Sequence, residues 1–188
     1  MMSDKEQLVP RKTGYSTLLC YRKTIIIYDL TYYFCTRFLD KRDRTVDQMI
    51  QAARSGKQNI VEGYTDSSTS KEMALKLLNV ARGSLQELIE DYRDYLRTRN
   101  LQIWDPESEK VRYMRQLGKQ NYKSDYYIKL AESRTDETIA NMAIVLISQA
   151  DSLLYSYIGF VSDKFVKEGG FREKLTRMRL SERSTQHK

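Results

Sequence analysis

Only two prolines interrupt this chain, Pro10 and Pro106, and between them stand just four glycines, at positions 14, 56, 63 and 83. Proline removes a backbone donor and glycine costs a helix about 1 kcal/mol, so long stretches without either are free to be helical. A sandwich or barrel needs a turn about every 8–12 residues, and so few breakers argue against one. The 188 residues are 40% apolar and 30% charged, a globular composition long enough to bury one core without staples. The fold class is therefore all-α, in one domain with appendages.

The apolar spacing divides the chain. Ile27, Leu30, Phe34 and Phe38 recur at helical steps and predict a first helix over residues 18–40. Its β-branched start, Ile25 to Ile27, also reads as a strand, but length and the later periodicity favour helix. Val46, Met49, Ile50, Ala53, Ile60, Val61 and Tyr64 predict a second helix ending near Gly63 as a C-cap. Thr69 with Glu72 forms a capping-box pattern, opening a third helix whose stripe runs from Ala74 to Leu96. Asp105-Pro106 reads as a helix restart, with Asp as N-cap and Pro at the first position. Two shorter helical stretches follow, to Gly118 and over residues 122–133. Thr135-Asp136-Glu137 starts a last long helix that stops at Gly169-Gly170. These features predict an antiparallel up-down four-helix bundle over residues 18–170, with residues 101–134 as a helical insertion. Residues 1–17 are an N-terminal extension. Residues 171–188 are a basic tail that ends disordered, with Phe171, Leu175, Met178 and Leu180 able to dock part of it.

The last long helix carries two apolar stripes. One holds Ile139, Met142, Leu146, Ala150, Leu153, Tyr157 and Phe160; the other holds Ile144, Ile147, Leu154, Ile158, Val161 and Phe165. A bundle helix needs one such stripe. The second is to be covered by residues 101–134 or by another subunit. Ile147, Leu154, Ile158 and Val161 are accordingly the candidate oligomer face, and a closed homo-oligomer is the usual solution.

Several function classes are disfavoured. The polar start, Met1 to Glu6, lacks the apolar core of a signal peptide. Asn141, Gln149, Asp151, Ser156 and Asp163 interrupt the most apolar run, so no membrane span and a cytoplasmic location are expected. Cys20 and Cys35 read as reduced core thiols. The single histidine, His187, lies at the end. Glu87, Glu90, Asp91 and Asp94 crowd the third helix, but carboxylate-bridged di-metal bundles add Glu-x-x-His pairs that this chain lacks. No metal, cofactor or enzymatic activity is expected, and there is no Gly-rich phosphate loop. Asn59, Glu62 and Arg82 form a candidate polar motif, read as structural: a carboxylate and an amide satisfying helix ends or bonding Arg82. Gly83 and Gly56, in mid-helix, suggest close helix crossings.

Ala52-Ala53-Arg54-Ser55, Asn59-Ile60-Val61-Glu62-Gly63-Tyr64 and Ala81-Arg82-Gly83-Ser84-Leu85-Gln86-Glu87-Leu88 resemble a bacterial four-helix bundle family. Its members are proteins encoded in intervening sequences of 23S ribosomal RNA genes and accessory variability proteins of diversity-generating retroelements. Gly169-Gly170-Phe171 and the two arginines at 177 and 179 look like its suffix-containing form. The resemblance covers residues 45–100 best and the first helix less well. It implies a ring, commonly a pentamer, without enzymatic activity. It also implies binding to nucleic acid, or to a ribonucleoprotein or reverse transcriptase, through basic surface.

Charge agrees with that expectation. Residues 1–44 carry nine Lys or Arg against five acids, and residues 164–188 carry eight against three, within a net charge of +7. An up-down bundle brings Lys41, Arg42 and Arg44 of the first turn to the same end as Arg97 and Arg99. Lys174, Arg177 and Arg179 of the tail emerge at the opposite end, with Arg11 and Lys12. Phosphate contacts require only clustered Lys and Arg, so Lys41, Arg42, Arg44, Arg97, Arg99, Lys174, Arg177 and Arg179 are the candidate nucleic-acid contacts. Tyr32-Tyr33 or Tyr126-Tyr127 offer rings for stacking, although most of the tyrosines suit bundle and subunit interfaces. A protein-binding scaffold without nucleic-acid affinity is the alternative.

Overall fold

The computed structural model describes residues 14–186, apart from the side chains of Glu168, Phe171, Arg172, Lys174, Glu182, Ser184, Thr185 and Gln186. The described residues are all-α. They form a short 3-10 turn (Tyr15–Thr17) and the helices α1 (Leu19–Phe38), α2 (Arg44–Asp66), α3 (Lys71–Thr98), α4 (Glu109–Gln120), α5 (Ser124–Glu132), α6 (Asp136–Glu168) and α7 (Phe171–Gln186).

Side-chain caps set the helix starts. Asp43, Ser70, Ser108 and Thr135 accept backbone N–H bonds from Thr45, Met73, Val111 and Thr138. Two expected starts therefore shift. The Thr69 hydroxyl instead donates to the Asp66 carbonyl (3.2 Å), closing the α2–α3 turn, and Ser70 takes over as cap. The Asp105 carboxylate accepts from Glu107 N–H (2.6 Å), a local turn that delays α4 to Glu109. α2 runs through Gly63 to Asp66. Gly63 is a packing residue: a Cβ there would lie 2.9 Å from Leu78 Cγ and 3.1 Å from the Ala74 carbonyl. Gly56 meets Leu85 in the same way, whereas Gly83 is exposed with nothing near it, so no helix crosses there.

α2 packs along α3, α3 along α6, α6 along α1 and α1 along α2. Paired contacts show opposed directions: Cys35 meets Met49 while Lys57 covers Tyr28, and Tyr95 meets Asp136 while Arg82 meets Asp151. Between them lies a core of fully buried side chains including Ile26, Phe34, Met49, Leu85, Leu88 and Leu146. Tyr92 crosses it, its hydroxyl on Thr31 Oγ1 at 3.0 Å and its ring edge against Phe34.

The second stripe of α6 finds much of its cover within the subunit. Ile147, Leu154 and Val161, expected at an oligomer face, are buried inside the subunit, and Ile158 is half-buried. α6 has α1, α3 and α4 as neighbours, so a single subunit already covers two of its faces. The insertion supplies part of that cover: α4 lies on α6 and α5 on α1. Exposure survives toward the C-terminal half, at Tyr155 (64%), Phe160 (62%) and Val166 (82%). By length and composition α6 is also apolar enough to cross a membrane, at a mean hydropathy of 1.4, despite the polar interruptions that argued otherwise. One third of that apolar window is buried in the subunit.

The tail is helical rather than disordered over residues 171–186. Gly169 turns the chain between α6 and α7 at φ 72°, where a side chain would be strained. The Lys71 ammonium donates to the Lys164 and Gly169 carbonyls, both at 3.2 Å, placing a cation at the C-terminus of α6. Leu175 and Met178 are half-buried and Leu180 is exposed. The expectations at Phe171, Arg11, Lys12 and His187 fall outside the described residues and side chains.

Candidate nucleic-acid interface

The α1–α2 turn is built by two aspartates. Asp40 accepts from Arg42 N–H at 2.8 Å, and Asp43 caps α2. Those bonds leave Lys41, Arg42 and Arg44 pointing away from the core, all exposed. α3 ends close by. Asn100 adopts φ 54° and Leu101 N–H bonds the Leu96 carbonyl (2.9 Å), a left-handed C-terminal stop for which Asn is suited. Arg99 lies over the Tyr95 ring, 3.9 Å from its centroid. The Asp43 carboxyl is held below its ordinary range mainly by its bonds from Thr45, with the Arg99 charge adding to this. Arg99 is therefore beside the turn. Arg97 is exposed in an i,i+3 pair with Asp94 (2.8 Å), which contributes little and is readily exchanged for a phosphate.

Lys41, Arg42, Arg44, Arg97 and Arg99 thus share one end of the molecule. Arg37, exposed in the last turn of α1, joins them and was not singled out from the sequence. Its signal was its position at i−4 from Lys41. Arg177 and Arg179 are exposed on α7, far from this group, because α3 alone spans about 42 Å between the two ends. The side chain of Lys174 lies outside the described set.

The stacking pairs are each reduced to one ring. Tyr32 and Tyr126 are exposed, but Tyr127 is buried with its hydroxyl donating to the Leu117 and Asn121 carbonyls, and Tyr33 is half-buried. Burial pushes the Tyr127 phenol up to about 12.

Asn59, Glu62 and Arg82 do not come together. Asn59 Nδ2 donates back to Ser55, at 2.9 Å to the carbonyl and 3.1 Å to the hydroxyl. Glu62 is exposed on α2. Arg82 reaches Asp151 on α6 through two bonds of 2.7 and 3.2 Å, beneath the Tyr155 ring, and the carboxylate raises its pKa further. Asp151, noticed in the sequence only as an interruption, is the true partner. Nothing in the spacing of residues 82 and 151 signals the pair.

Another surface has the opposite sign. A groove of about 590 Å³ between α2 and α3 is lined by Asp47, Gln48, Gln51, Ser55, Ser84, Glu87 and Asp91. Burial raises the Asp91 carboxyl, and Glu87 and Asp94 raise it further. Among the described residues no three His, Cys, Asp or Glu side chains gather as a metal site. Cys20 and Cys35 are free and buried, their thiols pushed by burial up to about 11 and 12, far from a reactive thiolate. No family model matches this chain, and neither does any curated protein or solved structure.

Proposed function

We propose that the chain is a non-enzymatic nucleic-acid-binding protein whose contact surface is the basic end built by the α1–α2 turn and the C-terminus of α3. The observation that carries this reading is the exposed cluster of Lys41, Arg42, Arg44 and Arg99, with Arg37 and Arg97 beside it. Such a cluster engages phosphates without reading sequence. The α2–α3 groove is acidic and repels the same ligand, which orients the approach. In this reading α1, α2, α3 and α6 form an up-down four-helix bundle with α4 and α5 as its insertion. The opposed contacts between α1 and α2 and between α3 and α6 support that arrangement. The resemblance to the 23S intervening-sequence and retroelement accessory proteins supports a cytoplasmic, ring-forming role, commonly pentameric, as accessory to a ribonucleoprotein or reverse transcriptase. Arg177 and Arg179 of α7, with Lys174 in sequence, supply a second basic zone.

A protein-binding scaffold is the second reading. It is favoured by the exposed Tyr155, Phe160 and Val166 on α6, which suit a partner rather than a phosphate chain.

The test is binding of nuclease-treated protein to labelled structured RNA and duplex DNA across a salt titration. Affinity is expected to fall steeply with salt, and the Lys41→Glu, Arg42→Glu, Arg44→Glu triple variant to weaken binding to every sequence and flatten the slope. Unchanged affinity in the variant overturns the placement. No binding at about 50 mM salt overturns the nucleic-acid reading in favour of the scaffold.

A further inference from the structure

Lys23 is 1% exposed, in the first turns of α1, and its ammonium reaches into the junction between α4 and α6. It donates to the Gly118 carbonyl and to Gln149 Oε1, the latter at 3.1 Å. Gln149 in turn donates through Nε2 to the Arg115 carbonyl (2.7 Å). Two side chains, one from α1 and one from α6, therefore hold the last turns of α4 by its backbone. Gly118 leaves room for them: a Cβ there would overlap Gln149 Oε1 and come within 3.1 Å of Lys23 Nζ.

Both acceptors are uncharged, and among the described residues no carboxylate is ion-paired with Lys23. A neutral amine has two N–H donors, matching the two oxygens. The ammonium carries a third, and the Tyr122 ring, 4.7 Å from Nζ to centroid, offers it a cation–π contact that offsets part of the hydration lost on burial. That ring is shared with the Arg22 guanidinium at 4.9 Å, a like charge. Among the described residues the charged and titratable groups seen against the site are Arg22 from α1 and Tyr122 from the α4–α5 turn. Tyr127 of α5 bonds the same carbonyl-rich end of α4, and the α6 side chain bonded to Lys23 is the uncharged Gln149.

We propose that Lys23 is a proton-operated latch, holding the α4–α5 segment loosely against α1 and α6 when charged and tightly when neutral. Opening the segment returns the ammonium to water, so protonation favours the open form and loss of the proton favours the closed one. Burial lowers the Lys23 pKa from 10.5 to about 8, which brings the exchange into a working range of pH. The described cysteines and buried tyrosines are pushed up and away from it. The latch acts on the insertion alone and does not depend on the nucleic-acid reading.

Amide hydrogen exchange across residues 109–120, corrected for the intrinsic pH dependence of exchange, tests this in the full chain. The opening constant of α4 is expected to fall about tenfold between pH 7 and pH 9. Lys23→Met should abolish that fall. Should it fail to fold, the permanently charged Lys23→Arg must abolish it too. A flat wild-type profile overturns the latch, as does a tenfold fall that survives in either variant. An opening constant for α4 equal to that of the α3 core also overturns it, because α4 would then open only with the whole protein.

Discussion

Gly63→Ala and Gly83→Ala make the same chemical change on two neighbouring helices, and the structure gives them opposite signs. In a helix interior alanine is favoured over glycine by about 1 kcal/mol. At Gly83 nothing lies within 4 Å of the added Cβ, so the whole gain should appear. For a chain of this size that is a rise in Tm of about 2–4 °C. At Gly63 the new Cβ falls 2.9 Å from Leu78 Cγ, 3.0 Å from Leu78 Cδ2 and 3.1 Å from the Ala74 carbonyl. Leu78 is fully buried among core side chains, and the carbonyl belongs to the α3 backbone. Overpacking of this kind costs about 1–3 kcal/mol, which cancels or outweighs the helix gain. The net expectation for Gly63→Ala is a loss of up to about 2 kcal/mol. Thermal melts by circular dichroism and urea midpoints measure both. If Gly63→Ala stabilises as much as Gly83→Ala, α2 and α3 do not approach as closely as described and the reasoning is wrong.

Two further outcomes follow from the same contacts. A double-mutant cycle between Arg82→Leu and Asp151→Leu should give a coupling of about 1 kcal/mol, reduced from the value of a charge-assisted pair by partial exposure, and a coupling near zero would show that the pair is ornamental. Cys20 and Cys35 should resist a thiol reagent at pH 8 until guanidinium unfolds the chain. Both have folded pKa values above the ordinary 9.0, so their contribution to stability is intact below about pH 9 and is lost as pH rises through about 11 and 12. Rapid reaction of the native thiols at pH 8 would contradict their burial.

Much of the local structure is legible in the residues. The scarcity of breakers and the 3.6-residue apolar spacing mark the long helices, and Thr135 and Gly169 mark both ends of α6. Cap assignments fail where several capping residues stand together. In Thr69-Ser70 and in Asp105 to Ser108, each candidate can cap, and the competition is decided by which hydroxyl or carboxylate is drawn into the preceding turn. The basic end is legible because it needs only that a turn and a helix exit coincide. The Arg82–Asp151 pair is not, because its partners are 69 residues apart and meet only through the register of α3 on α6.

The sequence by itself determined an all-α chain, the approximate helix boundaries and the concentration of positive charge near the first turn and the tail. These depend on propensity, periodicity and charge counts, which act within a few residues. Tertiary structure alone decided how far both apolar stripes of α6 are covered within one subunit, which glycines are contacts and where the Lys23 amine goes. Ile147 and Leu154 look free for another subunit until the positions of α1, α3 and α4 are known, and then they are core. Burial is a property of neighbours distant in the chain, and a periodic pattern specifies a face without specifying what comes to cover it.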